Sequence, residues 1–89
     1  MTEITVRATD EALAYLEEIA LEMVKLFSID LDEARGRINR RFKDRPFMTR
    51  SAETYLFHEE QDVWAKHIYY GRESYWWVDD EPRDPLPYP

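Results

Sequence analysis

The segment HEEQDVWAKH at residues 58–67 holds two histidines and three acids. Imidazoles and carboxylates are the groups that most often act as general acids and bases, and imidazoles also bind metals. His58 and His67 are nine positions apart, and the HExxH spacing that aims two imidazoles at one metal ion is absent. We therefore predict no metal site and no cofactor. An enzyme that uses His58, Glu59 or His67 is the least favoured of three functional hypotheses.

Other catalytic chemistries are excluded by composition. The chain has no cysteine, which excludes disulfides, thiolate zinc sites and cysteine nucleophiles. It has two glycines, Gly36 and Gly71, so a glycine-rich loop that cradles phosphate is physically implausible. No Ser-His-Asp order is visible either. The sequence thus favours a protein without catalytic activity of its own.

Charge is unevenly distributed along the 89 residues, whose net charge is −7. Residues 1–34 hold nine acids and two bases, and residues 51–89 hold nine acids and three bases. Residues 35–50, here called the basic island, hold one acid and seven bases. The acidic total opposes nucleic-acid and anionic-membrane binding at long range, whereas the island can still attract phosphate or an acidic partner at close range.

The basic island falls largely on one predicted helix. The apolar stripe of this helix consists of Leu31, Ala34, Ile38 and Phe42. The opposite arc carries four cations, which are predicted to face solvent: Arg37, Arg40, Arg41 and Lys43. These cations either pair with acids of the same chain or form a docking surface for an anionic partner. We take them as candidate partner-binding residues.

Aromatic residues gather near the end of the chain. Tyr75, Trp76 and Trp77 follow Tyr69 and Tyr70 and are surrounded by acids. Aromatic side chains stack on bases in single-strand binders, but such platforms need a positive groove. Completion of a small core is the favoured interpretation, and a protein-binding patch is the next, since tryptophan and tyrosine dominate interface hot spots. Tyr75, Trp76 and Trp77 are therefore further candidate partner-binding residues.

Helical periodicity locates the elements that must carry these residues. Apolar positions predict a helix over residues 10–27 with Thr9 as N-cap. A second helix should start at Asp30, with Glu33 completing a capping box, and continue to about residue 43. Ser51 is the predicted N-cap of a third helix. A bend near residues 59–60 and a last helix over residues 61–70, ended by Gly71, should follow.

Two stretches have other interpretations. The alternative to the last helix is a hairpin with strands HIYY and YWWV, because these residues favour strands. The segment ITVR at residues 4–7 alternates like a strand but lacks an evident partner. Residues 79–89 contain four prolines and four acids among DDEPRDPLPYP, which predicts an extended tail that could present a polyproline ligand.

These observations predict an all-α fold: a small three- or four-helix domain at residues 1–78 followed by an acidic, proline-rich tail at residues 79–89. An α+β fold with a C-terminal hairpin is the alternative. The first function hypothesis is a small protein–protein interaction or regulatory module, such as an inhibitor or adaptor, and homodimerisation is compatible with it. The second is a nucleic-acid module that docks through the basic helix. A soluble, cytoplasmic protein without membrane contact is expected.

Overall fold

The computed structural model describes residues 2–71 and 85–88. Within them the chain forms four helices: α1 Asp10–Phe27, α2 Leu31–Arg41, α3 Arg50–Phe57 and α4 Gln61–Tyr70. The all-α prediction is confirmed. Among the described residues no helix is long and apolar enough to cross a membrane.

Helix α1 lies at the centre of the fold and packs mainly on α4 and α2. Its bounds match the prediction, and the Thr9 side chain accepts the Ala12 N–H as the predicted N-cap. Leu16, Ile19 and Met23 recur at helical spacing and are fully buried. The long apolar face of α1 therefore organises the core against which the shorter helices pack.

Helix α2 begins with the predicted cap, since Asp30 accepts the Glu33 N–H at 2.7 Å. The expected return contact of a capping box is replaced by another, because the Glu33 carboxylate accepts from Arg37 Nε at 2.8 Å. The helix ends at Arg41 rather than near residue 43. Phe42 then turns into the core, where it is 2% exposed.

The N-terminal segment lies along α2 instead of pairing as a strand. The Thr5 N–H donates to the Asn39 side-chain oxygen at 2.7 Å, and Asn39 Nδ2 donates to the Glu3 carbonyl at 2.8 Å. Further on, Ala8 forms an isolated parallel bridge with Phe47. The alternating ITVR segment thus finds its partners in one asparagine and in the loop after α2.

The break between α3 and α4 lies where the sequence predicts it, with Glu60 as the residue before α4. The cap of α3 is Thr49, not Ser51, and its hydroxyl accepts the Ala52 N–H at 3.1 Å. Residues 67–70 belong to α4, so the hairpin's first strand is wrong. Its second strand, residues 75–78, lies outside the described residues.

The end of the chain returns to the helices. Residues 85–88 have no regular secondary structure. The Leu86 N–H donates to the Tyr69 carbonyl at 2.8 Å. Because Tyr69 lies in the last turn of α4, its carbonyl has no partner within the helix, and the tail supplies one. The predicted domain boundary between residues 78 and 79 lies outside the described residues.

Candidate functional site

The structure corrects the position of one candidate residue. Arg37 was expected to face solvent, but it is 4% exposed. Its Nε donates to Glu33 and its Nη1 donates to the Leu86 carbonyl, each at 2.8 Å. The guanidinium also lies 4.8 Å from the centre of the Tyr69 ring. The physical reason is that residues 85–88 cover this part of α2, a contact that a helical wheel of α2 cannot contain.

The other candidates have different surroundings. Arg40 is exposed, with its guanidinium 5.3 Å from the centre of the Tyr88 ring. Arg41 is half-buried over Phe42, and Lys43 is exposed beyond the end of α2. Residues Tyr75, Trp76 and Trp77 lie outside the described residues. The predicted basic surface therefore does not form one continuous patch on α2.

A cleft of about 270 Å³ lies between the N-terminal segment and the loop after α2, and we call it the basic cleft. It brings Lys43 together with two cations that were not among the candidates, Arg7 and Arg45. Val6 and Pro46 contribute apolar surface, and the buried Phe42 lies behind them. The complete lining is Thr5, Val6, Arg7, Asn39, Phe42, Lys43, Asp44, Arg45 and Pro46.

Backbone hydrogen bonds hold the two walls of the basic cleft together. The Phe47 N–H donates to the Arg7 carbonyl at 2.7 Å, and the Thr9 N–H donates to the Phe47 carbonyl at 3.1 Å. On the loop side, the Arg45 N–H donates to the Phe42 carbonyl at 3.0 Å while Asp44 adopts a left-handed φ of 61°. The cationic residues are thus attached to a fixed backbone, which lowers the entropy cost of binding an anion.

Two buried phenylalanines anchor the same loop. Phe42 and Phe47 are 2% and 3% exposed, and their rings meet edge to face with centroids 5.1 Å apart. Phe42 also contacts the Trp64 ring, which belongs to α4. Since aromatic pairs of this kind add roughly 0.5–1.5 kcal/mol beyond burial, the loop is tied to the core on both sides of its turn.

The cations of the basic cleft have no acidic partner within the part of the chain that the structure describes. There the ion pairs are Arg35 with Glu17 and Arg37 with Glu33. Arg7, Lys43 and Arg45 are all exposed, and Asp44 is the one acid in the lining. Among the described residues the lining of the basic cleft thus holds three cations and one acid, which leaves it positively charged.

The aromatic residues of α4 serve the interior. The Tyr69 ring stacks on Phe27 with centroids 3.9 Å apart, and the Tyr70 ring meets Phe27 edge to face at 5.4 Å. Tyr69 also faces the Arg37 guanidinium. A ring covered in this way is not open to a nucleic-acid base, which removes these two tyrosines from a stacking platform.

The residues of the enzyme hypothesis gather around a second, smaller cleft. His58, Glu59 and His67 line a volume of about 160 Å³ together with Arg41, Tyr55 and Trp64. Sequence spacing did not predict this grouping, because the bend before α4 produces it. Ligand pockets commonly measure roughly 300–1,000 Å³, so the cleft is small for a substrate. Among residues 2–71 and 85–88 no group of three histidines or acids is placed to hold a metal ion.

One titratable group beside this region has a shifted pKa. The Tyr15 hydroxyl donates to the Glu59 carbonyl, which joins α1 to the bend between α3 and α4. Partial burial raises the pKa of Tyr15, and the nearby carboxylates of Glu18, Glu60, Glu59 and Asp62 raise it further. Both effects favour the neutral hydroxyl, which is the form that donates this hydrogen bond.

Sequence reasoning missed Arg7 and Arg45 as site residues. Arg7 is one of two bases among the first 34 residues, and Arg45 precedes Pro46 in the loop, so neither belongs to a periodic pattern. The available signal was Pro46, which ends helical geometry at Arg45 and aims the island's last residues away from α2.

Comparison with known proteins adds no relative, since no family model, no curated protein and no solved structure matches this chain.

Proposed function

We propose that the protein is a non-enzymatic interaction module that binds an acidic segment of another protein at the basic cleft. The observation that carries the proposal is the meeting of Arg7, Lys43 and Arg45 around one concave surface, without an acidic partner among the described residues other than Asp44 in the lining. An adaptor or an inhibitor of another protein would use such a surface. Of the four cations that the sequence assigned to partner binding, the proposal keeps Lys43, and it adds Arg7 and Arg45.

The composition of the basic cleft suits a carboxylate side chain on a peptide. Arginine can bind a carboxylate with two parallel hydrogen bonds, and lysine adds a point charge. Val6 and Pro46 offer apolar surface to the methylene groups of a glutamate or to a neighbouring apolar residue. A cleft with both features favours a peptide over a free inorganic anion.

A nucleic acid is the weaker alternative for the same surface. Specific duplex binders commonly neutralise about six to ten phosphates, whereas the basic cleft offers three cations and one opposing acid. The net charge of −7 repels a polyanion at long range. Tyr69 and Tyr70 pack against Phe27 rather than forming an open stacking surface.

The test is capture from a lysate of the source cell, with nuclease added, using three forms of the full chain. The cleft variant is Arg7→Glu with Arg45→Glu, and the matched control is Lys25→Glu with Arg50→Glu. All four side chains are exposed, the control pair does not line the basic cleft, and both variants change the net charge equally.

We expect a nuclease-resistant protein to be captured by the intact chain and by the control, and to be lost from the cleft variant. A glutamate-rich peptide should displace it more effectively than a DNA oligonucleotide of equal charge. Equal loss from both variants would refute the basic cleft as the binding site. Capture that disappears with nuclease would move the assignment to nucleic acid.

A further inference from the structure

Residues 85–88 occupy a groove between α2 and α4 that we call the tail groove, and Leu86 is held there by its backbone. Its N–H donates to the Tyr69 carbonyl and its carbonyl accepts from Arg37 Nη1, each at 2.8 Å. One residue thus makes two hydrogen bonds, one to each wall of the groove. The same pair of groups would hold any extended segment whose central residue keeps its N–H, whatever its side chain.

Tyr88 provides the side-chain contact. Its ring lies 5.4 Å from the Arg37 guanidinium and 5.3 Å from that of Arg40. Its hydroxyl lies over Gly36, where a Cβ would come within 1.7 Å of the Tyr88 oxygen. An alanine at position 36 would therefore displace the Tyr88 ring from this position. The tail thus places an aromatic ring two positions after its backbone anchor.

The recognition groups of the tail groove are held by contacts that do not involve the tail. Arg37 is fixed by Glu33 at 2.8 Å and lies over the Tyr69 ring, and Tyr69 itself stacks on Phe27. The Tyr69 carbonyl is oriented by α4. A groove whose donors, acceptors and aromatic surface are fixed in advance is preorganised for a ligand.

The tail itself is only partly enclosed. Leu86 and Tyr88 are 39% and 36% exposed, although both are the residues that make the contacts. The described contacts of these two residues with the groove are two hydrogen bonds and two cation–π contacts, a small set that a competing peptide would have to replace. Residues 85–88 belong to the same chain as the groove, so they compete for it at a high effective concentration.

We propose that the tail groove is a binding site for an extended peptide of the Pro-Leu-Pro-Tyr type from a partner protein, and that residues 85–88 are its competing intramolecular occupant. The proline-rich segment at residues 85–88 is thus a ligand for the helices of its own chain. A partner peptide binds when the tail is displaced. This site is separate from the basic cleft, so either can fail independently.

The experiment titrates a synthetic Pro-Leu-Pro-Tyr-Pro peptide into a full-length variant in which the tail is released. Leu86→Pro removes the N–H that binds Tyr69, and Tyr88→Ala removes the ring. The nuclear magnetic resonance signal of the Arg37 Nε–H group reports the groove. We expect this signal to move in the variant and to return toward its position in the intact protein as peptide reaches millimolar concentration.

Two controls make the titration specific. A peptide with alanine in place of tyrosine should bind about tenfold more weakly. Adding Gly36→Ala to the tail-released variant should also weaken peptide binding about tenfold. Alanine favours the helix more than glycine does, so this substitution should not destabilise α2 by itself. Weaker binding would therefore report the lost space for the tyrosine ring and not a loss of folding. If the double variant lost its helical circular dichroism, Tyr88→Ala alone would serve, since it leaves residue 86 unchanged and removes the ring over Gly36, whose place the tyrosine of the peptide could take.

Three results would overturn the proposal. The first is an Arg37 signal that does not respond to peptide in the folded, tail-released variant. The second is equal binding of the tyrosine and alanine peptides. The third is unchanged affinity after Gly36→Ala. Each would mean that residues 85–88 merely cover α2 and that the groove does not recognise this peptide.

Discussion

Arg37 and Arg45 belong to one run of cations in the sequence, yet they have opposite surroundings. Arg37 is 4% exposed, paired with Glu33 and bonded to the tail. Arg45 is exposed on a loop and makes no ion pair with a described acid. The difference arises because segments far away in sequence cover one end of the basic island and leave the other open. A charge pattern therefore locates cations, but distant parts of the chain decide which of them are available to a partner.

The contrast between Arg37 and Arg45 predicts the largest loss of stability for a substitution of Arg37. Replacing Arg37 by methionine should lower the free energy of unfolding by about 2–3 kcal/mol, because Glu33 and the Leu86 carbonyl lose their partner. Glu33 is 28% exposed and can be partly hydrated, which keeps the loss below that of a fully buried pair. Urea denaturation followed by circular dichroism measures it.

Arg40→Met is the matched control in the same helix. Arg40 is exposed and contacts only the Tyr88 ring among the described residues, so the expected loss is about 0.5–1 kcal/mol. Similar losses for Arg37→Met and Arg40→Met would contradict the division of the island.

A smaller effect is expected at Gly36, where helix propensity and tail contact oppose each other. In a Tyr88→Ala background, Gly36→Ala should stabilise the protein by about 1 kcal/mol, as it does in other helix interiors. In the intact chain the added Cβ displaces the Tyr88 hydroxyl, so we expect the gain to be largely cancelled. A thermodynamic cycle from four urea curves gives the coupling. Equal gains in both backgrounds would show that Tyr88 does not depend on Gly36.

The hydrogen bond of Tyr15 lies outside the basic island, and its contribution to stability is expected to depend on pH. At neutral pH, Tyr15→Phe should cost about 1 kcal/mol through loss of the bond to the Glu59 carbonyl. The pKa of Tyr15 is raised above its ordinary value of 10.0 in the folded protein, so the unfolded chain releases this proton first. The contribution of the neutral hydroxyl is complete below pH 10.0 and is lost as pH rises through the folded pKa.

The alkaline measurement compares the two proteins directly. Thermal unfolding followed between about pH 8 and pH 12 should show the intact protein losing stability more steeply than Tyr15→Phe as the pH rises above the ordinary pKa of tyrosine. Arginines keep their charge across this range, so the Arg37 contacts do not produce the difference. Parallel curves would mean that Tyr15 has the same pKa in the folded and unfolded chain.

The smallest stability effect is expected at the open end of the island. Reversing Arg7 and Arg45 to glutamate should change the free energy of unfolding by no more than about 0.5 kcal/mol, because exposed charges without partners contribute little. The same variant should lose the captured partner. A large destabilisation would show that these cations have a structural role, and binding could then not be tested by reversing them.

Local patterns in the sequence predicted most of the helices. The bounds of α1 follow from apolar periodicity and the Thr9 cap, and α4 begins after the predicted bend and ends before Gly71. The cap of α3 was misplaced by two positions, since Thr49 and Ser51 are both able to cap and only the packed structure selects one. The end of α2 was placed too late, because Phe42 already has non-helical backbone angles as the C-cap, while its ring is buried against Phe47 as the apolar stripe predicts.

The sites were less predictable because they depend on contacts between distant residues. Lys43 was identified from the charge pattern, but Arg7 joins it only through the bridge between residues 8 and 47. Likewise, Arg37 is covered by Leu86, which is 49 positions away. Proline-rich segments have no periodicity that would reveal a binding face, so the sequence indicated an extended tail but not where it docks.

The most direct test of the division within the basic island is hydrogen exchange at the arginine Nε–H groups of the intact protein, followed by nuclear magnetic resonance. Arg37 Nε–H is buried and bonded to Glu33 at 2.8 Å, so its exchange with water should be slowed by at least about tenfold relative to Arg7 and Arg45. Exchange at Arg37 as fast as at Arg45 would contradict the division, because it would mean that both ends of the island are open to solvent.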